Sequence, residues 1–182
     1  MRRILGLVPR DTAAARARGE REGGPTRERF LSCEVAGQAV AISLAFLREV
    51  VVPDGLSAES GPPGPEFASF LSRGSPIPAL RLGPFLGYPE TMLQEGMRVV
   101  VGEAGGRRFG LVVDGVGEVV EVPPQSILPL PDGATQVPAG CIRGIWARGD
   151  RAVLLLDERG LAALEGLERF GEARGAPAPP GG

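Results

Sequence analysis

The side chains that carry out covalent chemistry are thinly represented in this 182-residue chain. All twenty basic residues are arginine; lysine and histidine are absent. A guanidinium stays protonated at any usable pH, so it cannot serve as an ordinary general base. With no imidazole, neither serine nor cysteine has its usual activating partner, and a Ser-His-Asp arrangement is excluded. A nucleotide-binding P-loop is excluded too, because its lysine is missing. Cys33 and Cys141 stand far apart without Cys-x-x-Cys spacing. They read as two small buried apolar residues on strands, in a reducing compartment, and no metal or cofactor is expected. Among the carboxylates, Glu118 and Glu121 are close in sequence, but residues three apart on a strand face opposite sides and make a poor acid–base pair. Conventional catalysis has little to stand on.

Binding is better served. A guanidinium offers five donors in a planar fork suited to carboxylates. The stretch FLSRGSPIPALRLGPFLG, residues 70–87, sets Arg73 beside Gly74 and ahead of Pro76 and Pro78. Glycine permits a sharp turn, and the prolines suit a strand entrance or edge because neither can donate to a ladder. An arginine held on a rigid turn meets a partner at low ordering cost; the same group can also bond carbonyls within its own turn.

The net charge of −2 hides an uneven distribution. Residues 1–29 hold eight Arg against four acids, and the remainder holds twelve against eighteen. An acidic body with one Trp and one Tyr argues against a small-barrel nucleic-acid module, which needs a basic, aromatic-bearing face. No segment approaches the ~18 apolar residues of a membrane span, and the apolar run in MRRILGLV is too short for a signal peptide. A cytoplasmic protein is expected.

The elements that must position these residues are mostly strands. RFLSCEVAGQAVAISL reads as two short runs about a hairpin turn at Gly37, followed by FLREVVVP. Residues 54–65 form a loop, and 86–96 a connector before MRVVVGEA. The strongest β pattern is RRFGLVVDGVGEVVEVPPQSILPLP, in which Asp114-Gly115 reads as a turn. GCIRGIWARGDRAVLLLDE reads as a hairpin about Gly149-Asp150, with Trp146 plugging a barrel. Leu161, Leu164 and Leu167 stand at helical spacing, predicting a helix that packs on the barrel edge. About nine or ten short strands favour an all-β fold of small closed barrels. Residues 1–27 read as a flexible basic arm with a transient helix, 28–170 as the folded domain, and 171–182 as a Gly/Pro tail.

Three blocks carry a resemblance. RGSPIPALRL is similar to the Arg-Gly-x-x-x-Pro-Val-x-Asp-Leu element of the CheW family of chemotaxis coupling proteins, with Arg73, Gly74, Pro78 and Leu82 in frame and Arg81 in place of the aspartate. FGLVVDGVGEVVEVPPQSILPLP resembles the family's Gly-x-x-Val-Asp-x-Val-x-x-Val segment. IRGIWARGDRAVLLLDERGL resembles its closing hairpin. The order and gaps agree over about residues 29–168. The resemblance implies two packed SH3-like five-stranded β-barrels with a C-terminal helix and no active site. It implies an adaptor that couples the cytoplasmic tip of methyl-accepting chemoreceptors to the regulatory domain of a CheA-type histidine kinase in a membrane-associated array. It assigns Arg73, Gly74, Leu47 and Glu49 to the partner-binding surface. Arg81 inverts a family charge there, which points alternatively to a divergent adaptor for a different partner.

Overall fold

The computed structural model describes residues 27–54, 56–58, 66–89, 96–131 and 133–167. The expected arm, apart from Arg27, and the expected tail lie outside them. Twelve strand segments are present among the described residues: β1 Glu28–Val35, β2 Gln38–Ser43, β3 Leu47–Val51, β4 Ser57–Ala58, β5 Phe67–Ser72, β6 Ser75–Arg81, β7 Arg98–Ala104, β8 Arg107–Val113, β9 Gly115–Val122, β10 Ile127–Leu128, β11 Ile142–Arg148 and β12 Arg151–Leu156. Two short helices, α1 Leu82–Phe85 and α2 Glu158–Ala162, each follow a hairpin. The strand count exceeds the nine or ten expected because β4 and β10 are two-residue pieces.

Local chemistry sets the hairpins. β1 and β2 are joined by Ala36-Gly37, both at left-handed φ (50° and 76°). Such a pair makes the two-residue turn whose twist matches that of the strands. β5 and β6 are joined in the same way by Arg73-Gly74 (52° and 77°), and β7 and β8 by Gly105-Gly106 (57° and 74°). On the Arg73-Gly74 hairpin, Pro76 stands opposite Leu71 and Pro78 opposite Ser69. Counted from the turn, these are the pairs without ladder bonds, so both proline nitrogens face away from β5. β8 joins β6 only from Ala79 onward. The prolines therefore occupy the open side of the strand entrance, as their chemistry requires.

The segments form two sheets, ordered β10-β11-β12-β2-β1-β9 and β3-β7-β8-β6-β5-β4. In each, the two ends of the order are consecutive in the chain. The 3₁₀ turn Pro124–Ser126 links β9 to β10, and residues 52–56 link β3 to β4. Each pair acts as one bent strand that closes its sheet on itself, which turns six segments into a five-stranded barrel. The chain crosses between barrels twice, at Leu44–Phe46 and at Asp114. Asp114 is thus not a hairpin turn: it joins β8 of one barrel to β9 of the other. Its N–H donates to the Glu34 carbonyl at 2.9 Å, and its Oδ2 accepts from the Ala36 N–H at 2.5 Å. An Asp-Gly pair reads as a local turn, yet this aspartate clamps a turn 78 residues away.

Burial separates into three regions. Phe30, Ala41, Val120, Val122, Val153 and Leu155 fill one barrel, with Trp146 packed against them. Phe70, Ile77, Ala79, Val99, Val101 and Val112 fill the other. A third, larger cluster draws on both sheets and forms the seam between them. Burial of such side chains, each worth about 1.5–3 kcal/mol, dominates the stability. Leu161, Ala162 and Leu167 sit in that seam, so the C-terminal helical segment wedges between the barrels rather than lying on a barrel edge. It is also broken: α2 ends at Ala162, and a new helical turn starts at Glu165. Gly160 explains how close it comes, since a Cβ there would stand 1.9 Å from the Gly140 carbonyl oxygen.

Candidate docking surface

Arg73 leads the β5–β6 hairpin at a φ of 52°. For a residue with a Cβ, left-handed backbone costs roughly 1–2 kcal/mol, and asparagine or glycine would fill the place with less strain. The turn thus holds its guanidinium at a cost in stability and presents it to solvent, 86% exposed. Across from it, β3 carries Glu49 just beyond a β-bulge between Leu47 and Glu49. The bulge re-aims the side chain. Glu49 Oε2 lies 3.4 Å from Arg73 Nη2, while Oε1 accepts from Arg108 Nη2 at 2.6 Å. The Glu49 side chain is 23% exposed, so one half-buried carboxylate positions two arginines that are more open.

The structure brings together two residues that the sequence singled out separately, Arg73 and Glu49, and adds Arg108. Arg108 was not anticipated; its one signal is its place two residues past the Gly105-Gly106 turn, opposite Glu103. Leu47 is half-buried and packs on the seam cluster. The same barrel exposes apolar side chains at Val50 on β3, at Val52 just after it, and at Leu71 on β5, the last 73% exposed. Arg81 lies elsewhere: it ends β6, its N–H donates to the Glu66 carbonyl at 2.6 Å, and it precedes α1 without capping it. A single exposed ion pair contributes at most about 1 kcal/mol to stability. The arrangement therefore matters for presentation more than for holding the barrel together.

A second polar region lies in a cleft of about 500 Å³ between the barrels, lined by Ser43, Arg48, Glu103, Arg143, Glu158 and Arg159 among others. Glu158 is 8% exposed and accepts the Ser43 N–H at 2.6 Å, which ties α2 to the end of β2. Burial pushes its carboxyl up to about 7 against the help of that bond. Arg143 grips the Glu28 carboxylate with two bonds and holds that acid below its ordinary range. Both thiols are buried: Cys33 on β1 is pushed up to about 12 by desolvation, and Cys141 is raised for the same reason, with Asp157 adding to it. Cys141 precedes β11 by one residue rather than lying on a strand. A suppressed thiolate is a poor nucleophile. Trp146, expected in the core, is half-buried and packs against the interior of its barrel.

Comparison with known proteins bears on the family and the fold. The chemotaxis protein CheW of Klebsiella aerogenes is 30% identical over 93 residues, 51% of this chain and 56% of that protein, so the match spans about half of each. The crystal structure of the scaffolding protein TtCheW from Thermoanaerobacter tengcongensis matches with a TM-score of 0.63 at 25% identity, covering 78% of this chain and 96% of that one. The all-β fold of two packed SH3-like barrels is shared with it. No described helix is long and apolar enough to cross a membrane. The model of the CheW-like domain matches residues 29–165, which take in nearly all of both barrels, and the chain belongs to that family.

Proposed function

We propose that this protein is a non-catalytic adaptor that joins the cytoplasmic tip of chemoreceptors to the regulatory domain of a CheA-type histidine kinase. It works in the cytoplasm, beside membrane-embedded receptor arrays. The observation that carries the reading is Glu49 holding Arg73 on a strained, exposed turn. Strain kept at a surface position points to use of the side chain that causes it. Leu47, Glu49, Arg73 and Gly74 belong to one docking face, with Arg108 as a further member. Exposed apolar side chains supply area, and the charged groups set orientation against a partner of complementary charge. Arg81, at the far end of β6, meets a partner only at a separate place.

Calorimetric titration of the full chain with the kinase regulatory domain, and separately with a soluble receptor tip, tests this. Arg73→Glu is expected to weaken one of the two by about tenfold or more while the protein stays folded. Unchanged binding to both would remove Arg73 from the docking face. No binding by the wild-type chain to either partner would overturn the adaptor reading.

A further inference from the structure

The basic N-terminal segment is a feature of the sequence that the docking face leaves unused, and β9 is where the described chain meets it. Strands of a barrel bury one face, so burial alternates along them. β9 departs from that rule. Val116, Gly117, Glu118 and Val119 are exposed in succession, and burial resumes only at Val120 and Val122. The cause is a bulge: Cys33 pairs with Val116 and Leu31 with Val119, so Gly117 and Glu118 stand together opposite Ser32. The extra residue is left out of the ladder, and the strand bends there. Among the described residues β9 pairs with β1 only, so its outer edge is open as well.

What such a surface would take follows from its chemistry. Val116 and Val119, 37% and 44% exposed, offer apolar area. The charged residues of β9, Glu118 and Glu121, are both acidic. At the start of the strand lies a cleft of about 310 Å³, where Glu34 and Asp114 line the wall beside Val116 and Gly117 and Arg151 is the basic residue. An open strand with exposed valines and an excess of carboxylates fits an extended segment that is both apolar and basic.

The chain holds such a segment. Residues 2–8 read Arg-Arg-Ile-Leu-Gly-Leu-Val, with two guanidiniums, four branched apolar side chains and no acid, and Pro9 closes the run. Residues 1–26 as a whole carry six Arg against three acids. Their exit point adjoins β9: Arg27, the residue before β1, lies with its Nη1 3.9 Å from Glu121 Oε2. From Glu121 back to Val116 is ~17 Å along the strand. The eighteen residues between Val8 and Arg27 cover ~60 Å fully extended and ~27 Å wound as a helix. The span is within reach in either form. A tether of that length keeps a segment near its site at an effective concentration of the order of millimolar. We propose that residues 2–8 dock in the same molecule along the outer side of β9 at residues 115–119, with Arg2 and Arg3 toward the carboxylates and the apolar residues covering Val116 and Val119. The segment then closes a strand edge that otherwise stands open to other chains, and only its release uncovers that edge. This inference is independent of the adaptor reading and of the face around Arg73.

Residue-resolved amide exchange on the full chain tests this, with the double substitution Leu5→Asp and Leu7→Asp as the arm variant. The amides of residues 115–119 that do not bond to β1 are expected to exchange about tenfold faster in the arm variant than in the wild type. Unchanged exchange in β12 serves as the control for folding. A tethered contact predicts the same protection after tenfold dilution of the protein. A synthetic peptide of residues 1–10, added at about millimolar concentration, is expected to restore protection to the arm variant, and to fail once Val119→Asp is added. Identical exchange in wild type and arm variant would overturn the proposal. Sedimentation of the wild type with phosphatidylglycerol vesicles, lost in the arm variant, would then assign the segment to anionic lipid instead. Protection that disappears on dilution would place the segment on a second copy of the chain and equally overturn docking within one molecule.

Discussion

Arg81 and Asp157 hold the same place in the two halves of the molecule, the residue before a short helix, and carry opposite charge. Asp157 accepts the N–H groups of Arg159 and Gly160, each at 3.0 Å, whereas Arg81 makes no side-chain cap to α1. The first turn of a helix presents unsatisfied N–H groups and partial positive charge, which favour a carboxylate over a guanidinium. The second half keeps the residue that the local backbone prefers. The first half carries a guanidinium there instead.

Asp157→Ala is expected to lower unfolding free energy by about 1 kcal/mol, read as a shift of the urea midpoint at constant m-value. Asp157→Asn keeps an acceptor and is expected to retain most of the stability. Equal losses for the two variants would show that charge rather than hydrogen bonding matters at this cap.

Glu158 couples stability to pH. Its carboxyl is raised from 4.5 to about 7 in the folded protein, so the folded state binds the proton more tightly than the unfolded chain. Its contribution is complete below pH ~4.5 and is lost as the pH rises toward ~7. The difference is worth about 3 kcal/mol at most. Glu158→Gln keeps the acceptor for the Ser43 N–H and removes the titration. Denaturation of both proteins at pH 5 and pH 8 is expected to show the variant gaining on the wild type at the higher pH. Parallel pH profiles would contradict the burial argument.

Arg73→Asn is expected to separate stability from binding. Asn-Gly suits a two-residue turn with two left-handed positions better than Arg-Gly does. The variant should gain up to about 1 kcal/mol in unfolding free energy. If the docking face is as proposed, the same variant loses affinity for its partner. A variant that gains stability and keeps full affinity would leave the strain at Arg73 without a functional reason.

What was legible beforehand was what local chemistry decides. Ala36-Gly37 and Arg73-Gly74 announce turns, because only a few residue types accept left-handed backbone. The Val-rich stretch 112–122 announces strands through propensity alone. Partnerships at long range were not legible in that way. Glu49 reaches Arg73 and Arg108 over 24 and 59 residues, and nothing in a run such as FLREVV names the receiving end. The four-residue α1 was also missed, because Leu-Gly-Pro-Phe lacks helical propensity and its helix depends on packing against β6 and β8. A correspondence between the two barrels left a trace in Glu-Val-Val at 49–51 and 118–120. Such short matches gain meaning only once the ladder registers align them.

Pro76 and Pro78 carry a consequence for crowding. A strand entrance with a free side is where one molecule can template another, chain adding to chain through main-chain bonds until a fibre grows. Two imino acids in alternation remove the donors that such growth needs from that side of β6. Copies held at high local density are then denied a continuous main-chain ladder at this strand entrance.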